Sequence, residues 1–195
     1  LNPGDQIAIA TPIFTPYMQI PSVKNYGLVS IDVSSTQEEN WDIAEAELAK
    51  PEDPAVKAFF LVNPSNPASH ALSEKTLERL KQAVEKNPDL IILTDDVYGT
   101  FAEDFRTVYS ILPYNTILVY SFSKLYGVTG WRVGLIAMNK SNVCDRLLSE
   151  LPPEDQAFLR DEYSIVTAEP ESMLFLDRVV RSRSEERFSR NAETD

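Results

Sequence analysis

Three side chains of different chemistry stand at equal intervals in this chain: Asn66, Asp95 and Lys124, with 29 residues from the first to the second and 29 from the second to the third. Each follows a short apolar run, Ala58 to Val62, Leu90 to Leu93 and Thr116 to Tyr120, of the kind that forms a buried strand. Ligands of open α/β sheets bind along the carboxyl edge of the strands, so an amide, a carboxylate and an amine far apart in sequence are predicted to converge on one crevice. A pyridoxal phosphate site needs such a set: a lysine for the Schiff base, an acid beside the pyridine nitrogen, and donors for the ring hydroxyl and the phosphate. Lys124 would be the Schiff-base lysine, its amine made nucleophilic by desolvation and a nearby cationic ring. Asp95 would keep the pyridine nitrogen protonated, and Asn66 and Tyr98 could donate to the ring oxygen. Ser121, Ser123 and Arg132 would hold the phosphate, Arg132 bringing the fork geometry that suits it.

The elements that must position these groups are legible as six apolar runs: Gln6 to Ala10, Leu28 to Val33, the three already named, and Val133 to Met138. Ser73 to Lys86 reads as an amphipathic helix, with Ser73 as N-cap and Leu77, Leu80 and Val84 at helical spacing. Strand, helix, strand succession implies parallel pairing with right-handed crossovers, hence a three-layer α/β/α domain. The gap between Ser121 and Val133 is too short for a helical crossover, so the last strand is predicted to run antiparallel and the sheet to be mixed, though mostly parallel. Beyond Asn139 the pattern turns helical over Val143 to Leu151, capped by Ser141, then near Asp155 to Tyr163 and Glu171 to Val180. Arg181 to Asp195 is polar, with four arginines and four acids, and reads as a frayed or linking tail.

Composition narrows the field. With 18 Lys+Arg against 30 Asp+Glu in 195 residues the net charge is −12, which argues against a partner made of nucleic acid or an anionic membrane. Cys144 is the single cysteine and His70 the single histidine, so an internal disulfide and a histidine-based metal site drop out. No apolar run approaches a membrane span, and the start Leu1-Asn2-Pro3-Gly4 has no signal-peptide pattern; a soluble cytoplasmic chain beginning partway through a longer protein is expected. Three of the six glycines, Gly127, Gly130 and Gly134, fall within eight positions, yet none completes a dinucleotide or nucleoside-triphosphate loop.

Each residue also has a plainer reading. An Asn or Asp after a strand commonly caps a helix or makes a turn, and a lone Lys is ordinarily a solvated charge. It is the combination, with serines and a glycine-rich turn around the lysine, that favours catalysis. Arg132 could pair with one of the many acids, and Tyr98 and Phe14 could be core aromatics. His70 reads as a loop residue and Cys144 as a small buried hydrophobe.

The run Ser121-Phe122-Ser123-Lys124-Leu125-Tyr126-Gly127-Val128-Thr129-Gly130-Trp131-Arg132-Val133-Gly134 resembles the cofactor attachment signature of class I/II aminotransferases, fold type I. Asn63-Pro64-Ser65-Asn66-Pro67 resembles that family's N-P-x-N-P turn, and Asp95-Asp96-Val97-Tyr98 its D-x-x-Y element. Pro12-Ile13-Phe14 is similar to the segment whose aromatic residue stacks on the cofactor ring, a role the resemblance gives to Phe14. Asn66-Pro67-Ala68-Ser69 replaces the usual N-P-T-G, and Thr94 to Arg106 with Val119 to Lys124 resembles the aspartate 4-decarboxylase branch. The resemblance runs from Gly4 to Arg183. It implies that residues 1–180 are part of a cofactor-binding large domain whose upstream loop and C-terminal small domain lie outside this chain. It further implies pyridoxal 5′-phosphate as cofactor, with Lys124, Asp95 and Tyr98 at the reacting centre. L-aspartate would be the substrate, and the protein a homo-oligomer. Two outcomes are open, loss of the β-carboxylate to give L-alanine, or release of oxaloacetate as in an aspartate aminotransferase; a non-catalytic module of the same fold is the remaining alternative.

Overall fold

A computed structural model describes residues 1–23 and 26–181, and most of the expected polar tail, residues 182–195, lies outside the described residues. The described chain divides into two compact units, Leu1–Asn142 and the part of Val143–Asp195 that is described.

The first unit is built on six strands: β1 (Gln6–Thr11), β2 (Val29–Ser34), β3 (Val56–Val62), β4 (Ile91–Asp95), β5 (Thr116–Ser121) and β6 (Gly134–Ala137). They lie in the order β2-β1-β3-β4-β5-β6. All pairs are parallel except β5 with β6, which is antiparallel. Twelve residues separate β5 from β6, and the turn closes on itself where Phe122 N–H donates to the Val133 carbonyl at 3.2 Å. Gly134 is obligatory there: a Cβ at that position would lie 2.7 Å from the Tyr120 carbonyl oxygen.

Side-chain alternation gives the sheet two cores. Ala8, Phe59, Leu61 and Ile92 face one side, covered by Leu48 of α2 (Glu45–Leu48), Leu77 and Leu80 of α3 (Glu74–Lys86) and Val108 of α4 (Val108–Ile111). Ile7, Ile9, Ala58 and Val62 face the other, where Ile13 and Tyr17 pack against them at the start of α1 (Thr15–Val23). Among the described residues the fold is therefore the expected three-layer, mostly parallel mixed sheet. Helix α3 begins where sequence places it, with the Ser73 hydroxyl accepting from Thr76 N–H at 3.1 Å. At its far end Asn87, buried, donates from Nδ2 to the carbonyls of Pro51, Asp53 and Val56 at 3.0, 3.0 and 2.9 Å and so ties α3 to the entry of β3.

The second unit is helical: α5 (Val143–Ser149), α6 (Pro153–Tyr163), a single 3-10 turn at Pro170–Ser172 and a helix over 175–181. The last helix starts later than its apolar spacing suggests, because Pro170 opens a tight turn first. Its entry is fixed by Phe175 N–H donating to Asp145 Oδ1 at 2.6 Å. Arg178 reaches the Pro170 and Met173 carbonyls at 2.9 and 3.2 Å with its guanidinium 4.9 Å from the centre of the Tyr163 ring. Among the described residues no helix is long and apolar enough to cross a membrane.

Candidate functional site

Strands β3, β4 and β5 are in register at their carboxyl ends, Val62 beside Asp95 and Asp95 beside Val119. Asn66 therefore leaves the sheet four residues past one strand end, Asp95 is the end of the next, and Lys124 comes five residues past Val119. The parallel ladder, rather than anything local to these residues, puts them on one edge.

Asp95 is the best-determined of them. Its Oδ1 accepts from Val97 N–H at 3.0 Å and its Oδ2 from the Tyr17 hydroxyl at 2.8 Å, so both oxygens are fixed. Burial, then the Asp95 charge and this hydrogen bond, push the Tyr17 phenol well above its ordinary range, which keeps it protonated and a donor. Asp96 points to the opposite face, 4% exposed, where Thr94 Oγ1 donates to its Oδ1 at 2.5 Å. Burial, helped by the neighbouring Asp95 charge, raises its carboxyl above the usual range, against the lowering effect of its threonine hydrogen bonds.

The Asn66 turn is built to reach the same edge. Asn63, fully buried, donates its N–H to the Asp95 carbonyl at 2.9 Å, donates from Nδ2 to the Arg106 carbonyl at 3.3 Å and accepts Leu72 N–H at 3.0 Å. The turn is closed by Ser65 N–H on the His70 carbonyl and Ser69 N–H on the Ser65 carbonyl, at 2.8 and 2.9 Å. This brings Asn66 Nδ2 to 3.4 Å from the Tyr98 hydroxyl, over a cavity of about 450 Å³ lined also by Ser65, Ser69 and Phe101. The two residues expected to share a ring oxygen are thus adjacent. His70 lies against another loop, Nε2 3.7 Å from Asp42 Oδ1.

The loop after β5 is more open. Lys124 is exposed, and among the described residues no hydrogen bond or ion pair reaches its ammonium. Ser121 Oγ accepts Ser123 N–H at 3.2 Å, whereas Ser123 Oγ, on a residue 7% exposed, is buried with no hydrogen-bond partner among the described residues. Arg132 is exposed, its backbone left-handed at φ 53°, and its Nη1 turns back onto the Thr129 carbonyl at 3.2 Å. The structure therefore joins Asn66 to Tyr98 and fixes Asp95, while Arg132 contacts its own loop rather than the serines. Phe14 is half exposed and meets Tyr17 edge to face, ring centres 6.1 Å apart.

The set fits pyridoxal 5′-phosphate: a fixed carboxylate for a pyridinium, an amide and a phenol side by side for a ring oxygen, an exposed amine, and an orphaned buried hydroxyl two residues from the serine at the end of β5. Among the described residues no cluster of three or more His, Cys, Asp or Glu could hold a metal. Sequence reasoning missed Tyr17 and Asn63. Pro16 and Pro21 hid helix α1, and with it the spacing of three that sets Tyr17 beside Phe14; Asn63 opens a motif whose chemistry drew attention to Asn66 alone.

Residues 1–152 match the family described as aminotransferase class I and II. A bifunctional aspartate aminotransferase and L-aspartate beta-decarboxylase from a Pseudomonas species is 47% identical over 181 residues, which cover 92% of this chain and 34% of that protein. A probable aspartate/prephenate aminotransferase from Rhizobium leguminosarum bv. phaseoli is 35% identical over 143 residues, covering 70% of this chain and 35% of its own length. The crystal structure of an aromatic aminotransferase from Pyrococcus horikoshii OT3 superposes with a TM-score of 0.63 at 32% identity, over 71% of this chain and 38% of that one. The chain spans about a third of the length of the relatives it matches.

Proposed function

Because the chain belongs to the class I and II aminotransferase family, whose members use pyridoxal 5′-phosphate, we propose that it supplies the central part of the cofactor-binding large domain of an enzyme acting on L-aspartate. The observation that carries this reading is the shared strand edge on which Asn66, Tyr98 and Asp95 are already positioned, with Lys124 on the loop that follows. When bound, pyridoxal 5′-phosphate supplies an aldehyde carbon that condenses with amines and a ring that accepts electron density from a bond breaking at the substrate.

Each residue has a share. Lys124 Nζ would hold the cofactor through its aldehyde carbon, and the free amine is the group that would take the proton from the substrate α-carbon. Asp95, its carboxylate held by Tyr17 and Val97, would keep a proton on the pyridine nitrogen. Asn66 Nδ2 and the Tyr98 hydroxyl would donate to the ring oxygen, Ser121, Ser123 and Arg132 would hold the phosphate, and Phe14 would stack on the ring. Arg132 must swing from the Thr129 carbonyl to do so, a motion its exposure allows.

The 47% identity to a bifunctional aminotransferase and beta-decarboxylase favours conversion of L-aspartate to L-alanine and carbon dioxide, the β-carboxylate leaving and a proton taking its place. The 35% identity to an aspartate/prephenate aminotransferase supports a second reading, transamination of the same substrate, its amino group passing to a 2-oxo acid and oxaloacetate being released. Carbon dioxide and oxaloacetate measured on one sample of the complete protein with L-aspartate and a 2-oxo acid as amino acceptor separate them: gas in excess supports the first, keto acid without gas the second, and neither product removes both. Exposed Tyr126, Trp131, Leu135 and Ile136, Trp131 at 76%, support assembly as a homo-oligomer. The single cysteine suits a reducing, cytoplasmic setting.

A further inference from the structure

From the Tyr17 contact we infer that this tyrosine is a positioning residue that couples the Asp95 carboxylate to the ring-stacking segment. The inference rests on the cofactor reading above. A carboxylate at the end of a strand has two free torsions, and its plane decides whether Oδ2 meets a pyridinium nitrogen. Val97 N–H, 3.0 Å from Oδ1, belongs to Asp95's own turn and restrains one oxygen locally. The other restraint comes from 78 residues away in sequence, the Tyr17 hydroxyl 2.8 Å from Oδ2. A carboxylate oxygen has two lone pairs, so this bond leaves Oδ2 able to accept a second donor.

Tyr17 is suited to the task. Its phenol stays protonated because burial and the Asp95 charge both oppose ionisation. Its ring packs against the Ile7, Ile9, Ile13, Ala58 and Val62 core, which fixes the hydroxyl without help from solvent. Its ring meets that of Phe14, three residues earlier, edge to face, ring centres 6.1 Å apart. The first turn of α1 thus holds the acid of β4 by a hydrogen bond and the stacking ring by an aromatic contact, through one side chain. Displacement of either partner is felt by the other.

Tyr17→Phe separates the two functions, keeping the ring and its contact with Phe14 and removing only the donor. In the complete protein, pyridoxal phosphate affinity, by titration of the apoprotein, and kcat with L-aspartate should each fall about tenfold, the scale of one hydrogen bond to a charged group. KM for L-aspartate and the thermal midpoint should hardly move. The decisive measurement is a double-mutant cycle with Asp95→Asn: if Tyr17 acts through Asp95, adding Tyr17→Phe to that variant changes cofactor affinity by less than about twofold. Additive losses would overturn the assignment while leaving the functional reading intact, as would a loss confined to KM and the thermal midpoint. A wild-type protein that binds no pyridoxal phosphate would overturn the functional reading, and this assignment with it.

Discussion

The chemistry of single residues is sharpest at Lys124 and Asp95. Lys124→Ala in the complete protein should leave no cofactor covalently retained after borohydride reduction and no turnover; label retained at another lysine would move the anchor elsewhere. Asp95→Asn should still bind the cofactor but lose several orders of magnitude in rate, because an amide cannot hold the pyridine proton. Asp96 answers differently. Its raised folded-state carboxyl pKa means that the stability it confers is present at low pH and lost as pH rises through that pKa. Asp96→Asn, which keeps an acceptor for the Thr94 hydroxyl, should therefore raise the thermal midpoint at pH 7 by a few degrees and leave it unchanged near pH 3. The placement of Lys124, Asp95, Asn66 and Tyr98 at or past the ends of β3, β4 and β5 was legible in sequence, because each stands at a short distance from a recognisable apolar run. Tyr17 was not, because its contact with Asp95 spans the sheet and no local pattern encodes it.

Among the elements, the six strands and helix α3 follow from apolar runs and a serine cap, and the structure extends most strands by a residue or two where ladder hydrogen bonds continue past the apolar stretch. Helix α1 escaped notice because prolines at 16 and 21 lower its intrinsic propensity, while burial of Ile13 and Tyr17 outweighs that loss. The antiparallel β6 was legible from loop length alone. Its start tolerates no side chain, and since the clash is with backbone, Gly134→Ala has no rotamer that relieves it. That substitution should cost about 1–3 kcal/mol by denaturant titration and weaken cofactor binding as well, because the Phe122 to Val133 closure frames the lysine loop. Asn87→Ala strands three carbonyls and should cost about 2–3 kcal/mol; a smaller loss would mean that water replaces the amide there.

Over the whole molecule, two buried groups set the response to alkali. Burial, with a smaller effect of Asp145, pushes the Cys144 thiol up to about 11, and Tyr17 is raised as well. In the unfolded chain both release their protons earlier, so above about pH 9 the unfolded state gains and stability falls with rising pH. Urea titrations at pH 8 and pH 10.5 should show a loss that Cys144→Ala reduces by about 1 kcal/mol; an unchanged slope would assign it to Tyr17. The net charge of −12 adds self-repulsion of the same sign as pH climbs, which salt should soften.

The two adjacent aspartates at the end of β4 bear on how this protein tolerates insertions and deletions. Asp95 and Asp96 point to opposite faces, one to the crevice and one to the core beneath. A single-residue deletion in the turn before β4 that drags the strand back by one place turns every side chain over, yet the position facing the crevice would again receive an aspartate. The error would be silent in the chemistry of the site and audible only in folding, where Ile92 is turned out of the packed face and Ile91 and Leu93 are turned into it. Such variants should bind pyridoxal phosphate yet melt early, so activity screens alone would pass a frame slip that thermal screens reject.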